Sequence, residues 1–142
     1  MRKSLTPDDL VDFLAAPFNA TLATYRQDGS VLLSPVWHEW REGGFNVSTG
    51  EDDVKVRHVR RDGRASFVLY DNDPPYRGVE LRCRPSILPD ADHSVLRRIA
   101  VRYLGPERGN AYADAATWPS VYLRLEPGDW RAWDFADDPL LA

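Results

Sequence analysis

The 142-residue chain has one cysteine, two lysines and no apolar run long enough to cross a bilayer, and each shortage removes a class of protein. A lone Cys83 makes no internal disulfide, so a packed core has to hold the fold, and the expected compartment is a reducing one, the cytoplasm. Its own expected role is that of a packed thiol within a strand. Met1-Arg2-Lys3 is a charged start, but Asp8, Asp9 and Asp12 follow it, so neither a secretory leader nor a membrane partner is expected. His38, His58 and His93 stand far apart with no cysteine or carboxylate at ligand spacing, which argues against a metal centre. No serine lies in a nucleophile elbow, no glycine-rich nucleotide loop occurs, and nothing beside Cys83 would activate it. No catalytic side chain can therefore be named, and any redox chemistry has to come from a bound cofactor.

Charge narrows the reading further. The net charge is -4 and the sequence pI is about 5.3, which tells against a nucleic-acid partner despite a local run of arginines. Of the 18 basic residues only Lys3 and Lys55 are lysines, and Lys55 stands in the most informative stretch, Phe45 to Arg64, FNVSTGEDDVKVRHVRRDGR. Phe45, Asn46 and Val47 read as the end of a half-buried strand. Ser48 and Thr49 close it with two hydroxyls, and Gly50 turns the chain. Glu51, Asp52 and Asp53 suit the first turn of a helix, where carboxylates meet free amides and the positive end of the dipole. Val54, Val56 and Val59 give that helix an apolar side, Lys55, Arg57, Arg60 and Arg61 make the rest basic, and Asp62-Gly63 ends it. The stretch reads as an anion-binding corner, with Lys55 as a compact point charge for a phosphate oxygen. The plainer reading, a lysine on a solvated helix, is weighed against the hydroxyl pair six to seven residues upstream.

The rest of the chain predicts a mainly β domain spanning residues 1–142, large enough for one continuous core. Thr6-Pro7-Asp8-Asp9 starts a helix with Leu10, Phe13 and Leu14 on one face, ending before Pro17. Ala20 to Tyr25 is a strand, Gln27-Asp28-Gly29-Ser30 a tight hairpin turn, and Val31 to Trp40 the return strand. Pro35 marks that strand as an edge or a gap in ladder bonding. Arg64 to Tyr70 and Arg77 to Leu88 are further strands around the loop Asp71 to Pro75. Pro89 to Asp92 caps a helix whose stripe Val95, Leu96, Ile99, Ala100 and Tyr103 is core, and a short helix over Asn110 to Ala116 follows Gly105-Pro106. Strands over Ser120 to Leu125 and Trp130 to Phe135 complete a barrel with helices packed outside.

The ordered segments LATYRQDGS, LLSPVW, NVSTG and VKVRHVRRDGR, followed by Tyr76 to Glu80, Ala100 to Gly105 and Arg131 to Phe135, resemble the split-barrel flavoproteins of the pyridoxamine 5'-phosphate oxidase family, especially the flavin- and deazaflavin-dependent branch. The resemblance covers most of the chain. It implies an FMN-binding type of split β-barrel, a homodimer with the cofactor site at the interface, and an oxidoreductase passing hydride between bound F420 or FMN and a small organic molecule. It places Ser34, Pro35, Val36 and Trp37 beside the cofactor ring, with Ser48, Thr49 and Lys55 of the anion corner at the phosphate and Arg57 as a further cofactor-binding residue. F420 is preferred over FMN because its carboxylate tail would find Arg57, Arg60 and Arg61 along the exit path. The alternative is a non-catalytic carrier of a flavin, haem or other planar ligand. Aromatic excess points to Trp118, Trp130 and Trp133 as interface residues, with Trp133 also a candidate to approach the cofactor. Two positions depart from the family's pattern: Val54 where a basic residue often precedes the lysine, behind three acids expected to point away from the ligand, and Gly78 where a larger side chain is usual.

Overall fold

A computed structural model describes residues 1–141, with only the backbone of Lys3. A 3-10 turn over Pro7–Leu10 leads into α1 (Val11–Ala15), and the Thr6 amide and hydroxyl both donate to Asp9 Oδ2, at 2.8 and 2.9 Å. The strands are β1 (Arg2–Lys3), β2 (Ala20–Tyr25), β3 (Val31–Val36), β4 (Glu39–Arg41), β5 (Gly44–Gly50), β6 (Ala65–Tyr70), β7 (Gly78–Cys83), β8 (Ser86–Pro89), β9 (Ser120–Leu125) and β10 (Asp129–Asp134). Between them lie α2 (Val54–Asp62), α3 (Ser94–Leu104) and α4 (Pro106–Asp114). Six strands form one antiparallel sheet in the order β1-β10-β7-β6-β2-β3, and four form a second in the order β4-β5-β9-β8. Together they make the expected split β-barrel. Its core is a single cluster that includes Phe13, Leu22, Phe45, Val47, Phe67, Leu69, Leu81 and Leu123, drawn from both sheets and from α1.

Two expected strands are each divided between the sheets. Val31 to Trp40 becomes β3 in one sheet and β4 in the other, with Trp37 and His38 as the crossing. Arg77 to Leu88 becomes β7 and β8, broken at Arg84-Pro85, where proline has no amide to offer a ladder. Strand periodicity runs straight through both breaks, because a change of sheet does not interrupt alternation. β3 does lie on an edge, as Pro35 requires. Smaller differences follow local chemistry. The last helix starts at Pro106 rather than Asn110, since proline directly after Gly105 is a favourable first helical residue as well as a stop for the helix before it. Its Gly109 lets α4 sit close on α3, because a Cβ there would come 2.4 Å from the Val101 Cα. The final strand begins one residue early, at Asp129.

Gly78 has an equally local explanation. It pairs with Trp133 across β7 and β10, and a Cβ at Gly78 would stand 2.0 Å from the indole ring. Trp133 fills the space that a larger residue at 78 would take. Trp130 is likewise used inside the chain, with Nε1 donating to the Leu5 carbonyl at 2.9 Å. Only Trp118 of the three interface candidates is broadly exposed.

His38 is fully buried where the chain crosses between sheets, edge-on to Phe45 and Phe67, and neither ring nitrogen has a partner. Burial, reinforced by the nearby Arg102 charge, pushes its pKa down to about 3. The unfolded chain takes up this proton below about pH 6.5 while the folded chain resists it, so stability is full above that pH and falls as acid is added. Between pH 6.5 and 5 this one group is expected to cost about 1–2 kcal/mol, and His38→Leu should flatten that limb of the curve. Urea unfolding at the two pH values checks it. His58 also titrates low and leaves a residual slope; an unchanged slope in His38→Leu contradicts the assignment.

Candidate functional site

The site forms where β5 runs into α2. β5 carries Ser48 and Thr49 to the end of the four-stranded sheet, where Thr49 pairs with Val121 and Gly50 with Ser120. Asp53 then caps α2, its carboxylate accepting from the Lys55 amide at 3.1 Å, while Glu51 and Asp52 stay outside the helix in the turn. Val56 and Val59 face inward as expected. Val54 instead lies at the exposed surface, and His58 joins the buried side, with Nδ1 3.0 Å from the Thr24 hydroxyl.

Lys55 is largely covered and its ammonium lies 2.9 Å from Asp53 Oδ1 and 3.3 Å from Thr49 Oγ1. Of the three acids expected to point away from the ligand, Asp53 caps the helix as expected but also pairs with Lys55. Partial burial opposes ionisation of its carboxyl, but hydrogen bonds from the Lys55 ammonium and amide outweigh it and hold the pKa below the ordinary range. An ammonium has three donors, so one N–H remains after Thr49 and Asp53 are served. Close by, the Ser48 hydroxyl is buried without a hydrogen-bond partner.

Ser48 and Lys55 open into a cavity of about 320 Å³ lined also by Asn19, Pro35, Val36, Trp37, Leu96, Ile99 and Tyr112. Of the eight residues singled out from sequence, five come together here: Pro35, Val36, Trp37, Ser48 and Lys55. Thr49 is present indirectly, as a partner of Lys55. Ser34 does not line the cavity, and Arg57 is exposed on α2 outside it. Arg61, assigned to the same exit path, donates to the Tyr25 carbonyl instead. Sequence reasoning placed Leu96 and Ile99 in the core stripe, where they do lie, but their stripe also forms one wall of the cavity. Tyr112 lies inside the helix expected over Asn110 to Ala116, but no local signal marks it as a cavity residue. Asn19, just before β2, carries no signal that separates it from a loop residue.

Trp37 is neither plain core nor a free platform. Its ring stacks on Tyr103, with centroids 4.8 Å apart and planes 7° from parallel, and Tyr112 leans on it at 6.0 Å. The Tyr103 hydroxyl donates to the Phe18 carbonyl at 2.6 Å and accepts from the His38 amide at 3.1 Å, fixing the segment that follows Trp37. The cavity thus has a cationic, hydroxyl-bearing end and an aromatic, aliphatic wall, an arrangement suited to a planar ligand with an anionic tail. Cys83 takes no part in it, and burial pushes its thiol up to about 12.

This architecture, two antiparallel sheets with helices outside, defines a split-barrel protein. Residues 6–134 match the sequence model described as pyridoxamine 5'-phosphate oxidase, and the chain belongs to that family. Among solved structures, a conserved hypothetical protein of Mycobacterium tuberculosis is 28% identical with a TM-score of 0.80, covering 93% of this chain and 86% of its own. An F420 reductase is 22% identical with a TM-score of 0.69, covering 84% and 93%. An FAD- and haem-binding protein of Mycobacterium smegmatis is 20% identical with a TM-score of 0.73, covering 93% and 72%. A comparison with curated proteins finds none that matches. No helix among the described residues is long and apolar enough to cross a membrane.

Tyr103→Phe keeps the stack on Trp37 but leaves the His38 amide and Phe18 carbonyl without their shared partner. A loss of about 1–3 kcal/mol in stability is expected. Denaturant unfolding measures it, and a difference below 0.5 kcal/mol, on the order of an exposed substitution, is the contrary result.

Proposed function

We propose that this chain binds a flavin-type cofactor by its phosphate at Ser48 and Lys55 and works as an oxidoreductase on a small organic molecule. The observation that carries the reading is that Ser48, whose buried hydroxyl has no partner, and Lys55, with one donor to spare, line the same cavity. A buried hydroxyl without a partner is costly, and a phosphate oxygen would satisfy it. Pro35, Val36 and Trp37 would border the ring, on an edge strand whose outward backbone groups have no strand partner. The cofactor, when bound, supplies hydride transfer; the protein's contribution is to hold and orient it and to keep one face against an apolar wall.

F420 is the first choice and FMN the second. The fold shared with an F420 reductase supports the first. The position of Arg57 and Arg61 outside the cavity weakens the tail argument, since both would meet a ligand only beyond the cavity mouth. A carrier function is the second reading, favoured by a lining whose only titratable groups are Lys55 and Tyr112. Turnover of a bound, reduced cofactor with an added electron acceptor separates carrier from enzyme. Titrated in parallel, wild type should bind F420 more tightly than FMN, and Lys55→Ala should lose about 1.5–3 kcal/mol of affinity, as for a charge-assisted hydrogen bond. Equal affinities for wild type and Lys55→Ala remove the lysine from the site, and tighter FMN binding reverses the choice of cofactor.

The working unit in this reading is a cytoplasmic homodimer of single-domain subunits, with the partner completing the site. Support comes from the outer face of the six-stranded sheet rather than from the tryptophans. Leu33 is 64% exposed there, and Val31 and Tyr70 are 43% and 47% exposed on the same side as Ala23, Pro35 and Val68. Single exposed apolar residues are ordinary, but this many apolar side chains on one sheet face next to an edge strand, with Thr21, Ser66 and Glu80 among them, favour cover by a second subunit. Sedimentation at micromolar concentration should show two subunits for wild type and one for Leu33→Asp; a wild-type monomer overturns the dimer.

A further inference from the structure

Asp53 stands out once the lysine is read as the phosphate anchor. It is the cap of α2, and an asparagine would cap as well. A carboxylate adds something that capping does not require: it sits 2.9 Å from the Lys55 ammonium, with the lysine side chain only 15% exposed, and so cancels most of the one cationic charge that lines the cavity. The neighbouring acids do not share this role, since Glu51 and Asp52 are exposed and neither pairs with Lys55. Thr49 completes the arrangement by accepting from the same ammonium at 3.3 Å, so the lysine is held towards the strand end and presents a single remaining donor.

We propose that Asp53 is a built-in counter-anion that positions Lys55 and sets the affinity of the cavity for anions. This rests on the cavity being a phosphate site. An incoming phosphate meets an ammonium already neutralised by a neighbour, so its gain comes from hydrogen bonds to Ser48 and to the spare N–H more than from net charge. Weak monoanions such as carboxylates or chloride then gain too little to fill the cavity, and a phosphate, with several acceptor oxygens, is selected. Asp53 also keeps the largely covered lysine paired when no ligand is present, which an isolated ammonium in that place would need.

The test is calorimetric titration of the full-length protein with inorganic phosphate and, separately, with acetate, for wild type, Asp53→Asn, Asp52→Asn, Lys55→Ala and the Asp53→Asn/Lys55→Ala pair. Asp53→Asn should bind phosphate at least fivefold more tightly and narrow the preference for phosphate over acetate. Asp52→Asn should change either by less than twofold. The gain has to vanish when Lys55 is alanine, a dependence that a purely structural cap would not show, and Asp53→Asn should still unfold cooperatively, at a somewhat lower temperature for the lost ion pair. Phosphate binding that needs Lys55 but is unmoved by Asp53→Asn overturns the role of Asp53 and leaves the phosphate site standing. No phosphate binding by wild type or by Asp53→Asn overturns both.

Discussion

The last turn of α3 holds the two halves of the barrel in place. Arg102 sends one guanidinium nitrogen to the carbonyls of Ala15 and Ala16, each at 2.8 Å, and the other to the carbonyl of His38. Tyr103, next to it, bridges Phe18 and His38. These two side chains therefore fix the end of α1, the approach to β2 and the point where the chain leaves one sheet for the other. A charged donor bonded to three carbonyls is worth more than neutral pairs, and backbone groups in an irregular crossing have no ladder to satisfy them. Trp37 lies one residue before this anchored point, so its placement against Tyr103 and the shape of the cavity follow from it.

A second network ties α3 to the four-stranded sheet. Glu39 is buried on β4, and Arg98 grips it with two bonds of 3.1 and 2.9 Å while the Asn46 amide donates at 2.8 Å. Burial alone would raise the Glu39 pKa, and these donors more than reverse that. Such a pair adds little net stability compared with apolar packing, but breaking one side leaves a buried charge, so it fixes how α3 docks. Since Leu96 and Ile99 form a wall of the cavity, that docking decides the width of the site. The Lys55 end of the cavity is built differently, from bonds among residues within seven positions of each other: Thr49, Asp53 and Lys55. One half of the site is thus local and the other is set by contacts across the chain.

That division matches what could be read beforehand. Ser48, Lys55, an acidic start to α2 and its end at Asp62-Gly63 are consequences of neighbours in sequence, and Pro35 narrowed β3 to an edge or a gap in ladder bonding. The hairpin at Gln27 to Ser30 is of the same kind, with the Ser30 amide and hydroxyl both donating to Asp28. The helix-capping role of Asp90 was also legible in outline, and its buried carboxylate accepts from the amides of Val95 and Leu96 at 3.1 and 3.0 Å. The division of two strands between sheets was not legible, because alternation of side chains persists across the crossing. Neither was the pairing of Asp53 with Lys55, since capping and ion pairing both call for the same residue and only the side-chain direction separates them.

By itself, the sequence determined a mainly β barrel with helices packed outside and the place of one candidate anion corner, both of which depend on periodicity and turn chemistry acting over a few residues; the split form of the barrel came from the family resemblance. The tertiary structure decided which residues share the cavity: Asn19, Trp37, Ile99 and Tyr112 are distant along the chain and meet only because α3 and α4 fold back over the strand ends. It also decided that Gly78 and Trp133 complement one another across β7 and β10, and that His38 is left in the core with no partner for its ring. Contacts of this range are chosen by close packing of the whole core, in which each side chain's room is what its distant neighbours leave.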